Sequence, residues 1–205
     1  MNKMLIINAH PKMEASSSFS SKVLHHFLMN YKELNPSQTM EQINLYSDEV
    51  PPVDQTALSA WDKLAKGEPI TAEEQKVTSR MAEVLQQFKS ANKYVIAMPL
   101  HNFNIQLKLN DYIDNIMIPR ETFTYTENGS VGLLKDGRSL LVIQDKEVEC
   151  SHNYLKSMFK FLGVEDYQII KGQTTAVSNR DEILENAYRE AEEAATYLSK
   201  VPVLM

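Results

Sequence analysis

The chain has 205 residues, 43% hydrophobic and 23% charged, an ordinary globular composition long enough to bury a sizeable core and unlike that of a disordered chain. Its formal charge of −6 is spread along the sequence without a basic block, which argues against a nucleic-acid partner. The single cysteine, Cys150, excludes an intrachain disulfide and any multi-cysteine metal centre. No apolar run approaches the roughly 18 residues of a membrane span, and the apolar start is too short for a secretory leader; the expectation is a soluble cytoplasmic protein.

Lys3 to Asn8 reads as a buried first strand bounded by Pro11. From Phe19 the period changes: Phe19, Val23, Leu24, Phe27 and Tyr31 recur at helical spacing, and Asn35-Pro36-Ser37 breaks that helix. Met40 to Tyr46 is the second predicted strand. Ser47 to Ile70, with Pro51, Pro52, Gly67 and Pro69, reads as a loop holding one short helix with Leu58, Trp61 and Leu64 as its apolar stripe. Thr71 and Glu74 match a capping box, and Val77, Met81, Val84, Leu85 and Phe88 line the helix behind it.

Tyr94 to Met98 is a continuous apolar run halted by Pro99, as expected for a strand covered on both faces. A helix with Leu109, Tyr112, Ile113, Ile116 and Met117 as its apolar face follows. Thr122 to Leu134 alternates around Asn128-Gly129 as a hairpin. Leu140 to Ile143 is the next buried strand, and Tyr154, Leu155, Met158, Phe159 and Leu162 mark a helix ended by Gly163. Tyr167 to Ile170 is the fifth strand. A final helix begins near Ser178-Asn179 and carries Ile183, Leu184, Ala187, Tyr188, Ala191, Ala195 and Leu198. Five strands alternating with five helices predict an α/β protein, a parallel sheet with helices on both faces. No repeat or linker divides residues 1–205, so one domain is expected.

Ligands of such sheets bind beyond the strands' carboxyl ends. With six glycines, the first at Gly67, the turn after the first strand fits neither the P-loop nor the G-x-G-x-x-G pattern. That turn instead runs Asn8-Ala9-His10-Pro11-Lys12-Met13-Glu14-Ala15-Ser16-Ser17-Ser18 into a helix. Hydroxyls beside free amides and the positive end of a helix dipole form a phosphate site without glycine; the alternative is that one serine simply caps the helix. After the third strand, Pro99-Leu100-His101-Asn102-Phe103-Asn104 offers an aromatic, amides and an imidazole to stack on a flat ring and bond its edge. The alternative there is an ordinary turn with Asn102 as a cap. Together the two segments favour a phosphate-bearing aromatic cofactor.

Over nearly its whole length the chain resembles the FMN-dependent NADH azoreductases and NAD(P)H quinone reductases, which are flavodoxin-like. Ala9-His10-Pro11 is similar to the quinone-reductase opening, and Ser16-x-Ser18 to the azoreductase phosphate loop. Pro99-x-x-Asn102-Phe103-Asn104-Ile105, with Leu109 and Tyr112-x-Asp114, resembles the flavin-ring loop; Thr122 to Gly129, then Gly132-Leu133, resembles the family's hairpin. The resemblance implies a flavodoxin-like, doubly wound five-stranded parallel sheet. It also implies FMN as cofactor, NADH or NADPH as co-substrate, quinones and azo compounds as acceptors, and a homodimer without a metal. Ser16, Ser17 and Ser18 would hold the FMN phosphate, with His10 near the ribityl chain. Leu100, His101, Asn102 and Phe103 would border the isoalloxazine, with His101 a candidate proton donor. Phe103 and Tyr125 would frame the substrate slot, Tyr125 from a partner subunit.

One stretch departs from the family. Where relatives carry glycines after the fourth sheet strand, this chain reads Gln144-Asp145-Lys146-Glu147-Val148. Without glycine the backbone approaches a ring less closely. Asp145, placed beside the flavin, or Glu147 would oppose a negative reduced flavin, and Lys146 would offset them; the alternative is that these charges face solvent. The departure motivates a rival reading, a flavodoxin-like regulatory protein with weakened flavin turnover. A third reading, a one-electron shuttle, fits less well with the lid-like hairpin around Tyr125. His25-His26, adjacent on a helix, point apart and make a poor metal pair. Cys150 with nearby His152 reads as a buried or incidental thiol. Met13, Met98, Met117 and Met158 read as core or pocket filling, and Asp181, Glu182 and Glu185 as charges suited to a helix start.

Overall fold

The computed structural model describes residues 3–11, 18–99, 105–146, 149–172 and 180–201. Its elements are β1 (Lys3–Asn8), α1 (Phe19–Leu34), β2 (Thr39–Asn44), α2 (Gln55–Lys66), α3 (Ala72–Ser90), β3 (Lys93–Met98) and α4 (Leu107–Ile116). They continue with β4 (Phe123–Thr126), β5 (Gly129–Gly132), β6 (Ser139–Gln144), α5 (Glu149–Leu162), β7 (Asp166–Lys171) and α6 (Arg180–Lys200). The five long strands pair in parallel in the order β2-β1-β3-β6-β7, and β4 and β5 form a separate antiparallel ribbon.

Alternation within the buried strands builds two cores. Leu5, Ile7, Tyr94, Ile96, Met98, Leu140 and Val142 pack under α3, α4 and α5. Met4, Ile6, Val95, Ala97, Leu141 and Ile143 pack under α1 and α6. Every residue of β3 and β6 is buried, as continuous apolar runs require. The strand order reverses between β1 and β3, so the crevice for a ligand opens at the carboxyl ends of these two strands.

The expected capping box is present: Thr71 accepts from the Glu74 N–H and the Glu74 carboxylate from the Thr71 N–H. The segment before it carries the expected helix but not the expected apolar stripe. It holds a twelve-residue helix, α2, capped by Asp54 and ended by Gly67 at φ 71°, which brings the described helices to six. This helix buries the small Ala57 and Ala60 and turns Leu58 and Leu64 outward, with Trp61 half-buried. The larger side chains are on the outside because α2 packs closely on α3 through its alanine face.

Candidate functional site at the carboxyl edge of the sheet

The edge is organised from β1 outward. The Asn8 carbonyl accepts the Leu45 N–H at 3.0 Å, its side-chain amide donates to Asn44 Oδ1 at 3.0 Å, and its own Oδ1 accepts the His10 N–H at 3.1 Å. The Ala9 N–H continues the ladder to Ala97 O at 2.9 Å. His10 is thereby held, half-buried, at the point where the strand order reverses.

Ser18 is the N-cap of α1. Its Oγ accepts from the Ser21 N–H at 3.2 Å and donates to Ser21 Oγ at 2.8 Å. The capping alternative therefore holds for Ser18; Ser16 and Ser17 lie outside the described residues. The first turn of α1 contains no acidic residue, although negative charge is favoured there. An acid arrives from elsewhere: Asp145 Oδ1 accepts the Ser20 N–H at 2.7 Å across 125 positions of sequence. Asp145 is thus half-buried and engaged, unlike a solvated charge, while Lys146 is exposed and Glu147 and Val148 lie outside the described residues.

Donors remain at this helix start. Among the described residues nothing accepts from the Phe19 N–H, and the buried Ser20 Oγ has no hydrogen-bond partner. An orphaned hydroxyl and an open amide beside the Ser18 hydroxyl fit a phosphate.

Asp145 is also joined to two neighbouring strand ends. Its N–H donates to Met98 O at 3.3 Å, at the end of β3. Its carbonyl lies so near Gly172, just after β7, that a Cβ there would collide with it; Phe19 Cδ1 would be 3.2 Å from that Cβ. Gln144 shapes this loop without glycine, donating from Nε2 to Lys146 O at 2.5 Å and accepting from Ser151 Oγ at 3.0 Å.

The ring-loop candidates Leu100, His101, Asn102 and Phe103 lie outside the described residues. The ends of their loop are clamped: Gln106, buried at the start of α4, donates to Pro99 O at 3.1 Å and accepts from the Tyr46 hydroxyl at 2.8 Å. Sequence reasoning missed Gln106, Ser20 and Gly172. An amide at a helix start that makes no cap bond is a signal for Gln106; Ser20 and Gly172 owe their roles to the distant Asp145.

Tyr125 belongs to the β4–β5 hairpin rather than to the strand ends. The base of its hairpin is fixed to the far end of α5, where Leu134 N–H donates to Leu162 O at 2.9 Å and Phe123 lies 5.2 Å from the Phe161 ring. That end is about 20 Å, one helix length, from where α5 begins beside Asp145. Tyr125 is 71% exposed and lines an open groove of about 1100 Å³ with Trp61, Asp114, Met117 and Arg120. Burial, helped by neighbouring Asp111, holds the Asp114 carboxyl above its ordinary range. Arg120 has the left-handed φ of 70°, a conformation costly for a residue with a side chain.

The remaining candidates have structural surroundings. His25 is exposed, and His26 stacks on Tyr188 at 4.3 Å and meets Glu192 at 2.8 Å between α1 and α6. Cys150 is exposed in the first turn of α5, contrary to a buried thiol. Met98 is in the core, Met117 and Met158 pack against it, and Met13 lies outside the described residues. Among the described residues no group of three metal-ligating side chains occurs and no helix is long and apolar enough to cross a membrane.

Residues 2–195 match the family described as having the flavodoxin-like fold. The chain is 63% identical to an FMN-dependent NADH:quinone oxidoreductase of Bacillus cereus strain ZK / E33L, over 97% of this chain and 99% of that one. The chain belongs to the FMN-dependent NADH:quinone oxidoreductase family. Within that family the solved FMN-dependent NADH-azoreductase of Bacillus anthracis, in complex with FMN, superposes with a TM-score of 0.93 at 62% identity, covering 98% of this chain and all of that one. A second azoreductase of Bacillus anthracis superposes with a TM-score of 0.86 at 30% identity, over 96% of this chain and all of that one.

Proposed function

We propose that residues 1–205 form one flavodoxin-like FMN-binding domain of a cytoplasmic, homodimeric enzyme that oxidises NADH, or NADPH, and reduces quinones and azo compounds. The observation that carries this reading is the convergence of His10, the hydroxyl-bearing start of α1 and the clamped ends of the loop after β3 at the reversal of strand order. Ser16, Ser17 and Ser18 with the Phe19 N–H would hold the phosphate, and His10 would flank the ribityl chain. Leu100, His101, Asn102, Phe103 and Asp145 would border the ring. Bound there, FMN supplies hydride acceptance and donation. The chain's part is to bind, orient and shield, with His101 or solvent supplying protons to the acceptor.

Donor and acceptor share the slot between Phe103 and Tyr125. Because the base of Tyr125's hairpin lies about one helix length from this edge, Tyr125 is assigned to the slot of a second subunit, which supports the dimer. The exposed side chains of Leu58, Leu64 and Leu107 give such a subunit an apolar surface to cover. The rival regulatory reading rests on the charged stretch after β6, and the engagement of Asp145 with Ser20 removes much of that motive.

Titration of flavin-free protein with FMN, followed by NADH oxidation with a quinone and an azo dye, tests the proposal. Saturable FMN binding and parallel double-reciprocal lines are expected, since one slot serves both substrates in turn. Failure to bind FMN refutes the enzyme reading, and intersecting lines refute the shared slot. Asn102→Ala or Phe103→Ala should depress turnover far more than it lowers the unfolding temperature.

A further inference from the structure

We propose that Asp145 is a positioning residue that couples the phosphate end of the flavin site to its ring end. This inference rests on the reading that FMN binds at this edge, and it concerns a stretch in which the chain departs from the glycine-bearing pattern. One helix start and two strand ends meet at this one residue. Its carboxylate bonds the first turn of α1, its N–H bonds the end of β3 just before the ring loop, and its carbonyl abuts Gly172 after β7.

Its direction is fixed from both sides. The Gln144 side chain bridges Lys146 O and Ser151 Oγ, which folds the chain around Asp145, and the Gly172 N–H donates to Gln144 O at 2.8 Å. Gly172 is the residue type that lets the two backbones approach so closely.

The other helix starts show why this contact is more than capping. Asp54 caps α2 and Thr71 with Glu74 caps α3, each from adjacent sequence. Ser18 already caps α1 in the same local way. The additional carboxylate comes from the loop beyond β6, so its chief consequence is to join two segments rather than to finish a helix. It takes the Ser20 N–H and leaves the Phe19 N–H and the Ser20 hydroxyl for phosphate. A charge-assisted bond of this kind, lost from a buried edge, corresponds to roughly a tenfold change in an equilibrium.

The test compares FMN with riboflavin, which lacks the phosphate, by fluorescence titration of flavin-free wild type, Asp145→Ala and Asp145→Asn, with thermal unfolding of each. Asp145→Ala is expected to weaken FMN about tenfold and to shrink the preference for FMN over riboflavin. Asp145→Asn keeps an acceptor oxygen without adding negative charge near a phosphate, and is expected to bind FMN within about threefold of wild type or more tightly. Should Asp145→Ala fail to fold, Asp145→Ser, too short to reach Ser20, carries the same comparison.

Wild type that binds neither flavin overturns the underlying reading. With wild type binding FMN, an alanine or serine variant of unchanged affinity overturns the role of Asp145. A lowered unfolding temperature at unchanged affinity reduces the contact to a helix cap. Equal weakening of FMN and riboflavin overturns the coupling, and an asparagine variant as weak as alanine overturns the acceptor bond as its means.

Discussion

Lys93, the first residue of β3, is only 1% exposed although every other residue of that strand is apolar. Its ammonium donates to the Tyr31 hydroxyl at 3.2 Å and lies 5.8 Å from that ring's centroid. Tyr31 in turn donates to Gln38 at 2.5 Å. No carboxylate pairs with Lys93 among the described residues, and burial holds the ammonium below the ordinary lysine range. Burying a charge without an ionic partner is costly. Lys93→Met keeps the stem and is expected to stabilise the fold at neutral pH by about 1–2 kcal/mol, raising the melting temperature by about 2–8 °C. In the wild type the unfolded chain binds the extra proton, so stability should rise with pH from the lowered lysine value toward about pH 10. Above that, burial of Tyr31, which raises its hydroxyl to about 12, reverses the slope because the unfolded tyrosine ionises first. Urea unfolding of both proteins across this range checks the sign; a parallel pH dependence in Lys93→Met rejects the assignment.

At the scale of elements, the capping box of α3 is legible in Thr71 and Glu74, but its second use is not. The Glu74 carboxylate also accepts from Lys63 and Ser59 on α2, each at 2.7 Å. These bonds, Lys63 first and then the Thr71 N–H, hold its pKa down to about 2. Glu74 therefore contributes stability that is full above the ordinary carboxylate range and lost as pH falls toward 2. Glu74→Gln should lower stability at neutral pH and flatten the acid limb of the stability curve, as read by denaturant midpoints at pH 7 and pH 3. An unchanged acid limb counts against the bridge between α2 and α3. The hairpin teaches a similar lesson. Asn128-Gly129 predicts its turn, and Gly129 has φ 112°, whereas nothing local marks Gly132. A Cβ there would run into the Leu162 backbone and Phe161 O, so Gly132 is the close approach that seats the hairpin on α5. Gly132→Ala is expected to cost about 1–3 kcal/mol through overpacking, seen as a lower melting temperature and faster amide exchange in β4 and β5.

For the molecule as a whole, the parallel sheet is legible because its central strands are continuous apolar runs, and the edge proposed for the site follows from strand order. What sequence does not show is which residues that edge unites. The Asp145–Ser20 bond spans 125 positions, and the outward Leu58 of α2 looks like a core residue until the alanine face is seen to pack. The same separation of parts gives the proposed dimer its sharpest test. His10, Ser18 and Asp145 belong to one chain's edge, while Tyr125 belongs to a hairpin fixed at the far end of α5. A Tyr125→Ala chain and an Asn102→Ala chain should each have low turnover as pure dimers. Mixed through unfolding and refolding, half the molecules should be heterodimers in which one site has both defects and the other has none. Recovery of about a quarter of wild-type turnover is then expected from the symmetry of the assembly. If Tyr125 served its own chain's site, every site would keep one defect and mixing would restore nothing. Light scattering of each protein fixes its state, and Trp61→Glu, which puts a charge into the groove beside Tyr125, should shift dimer toward monomer and lower turnover together.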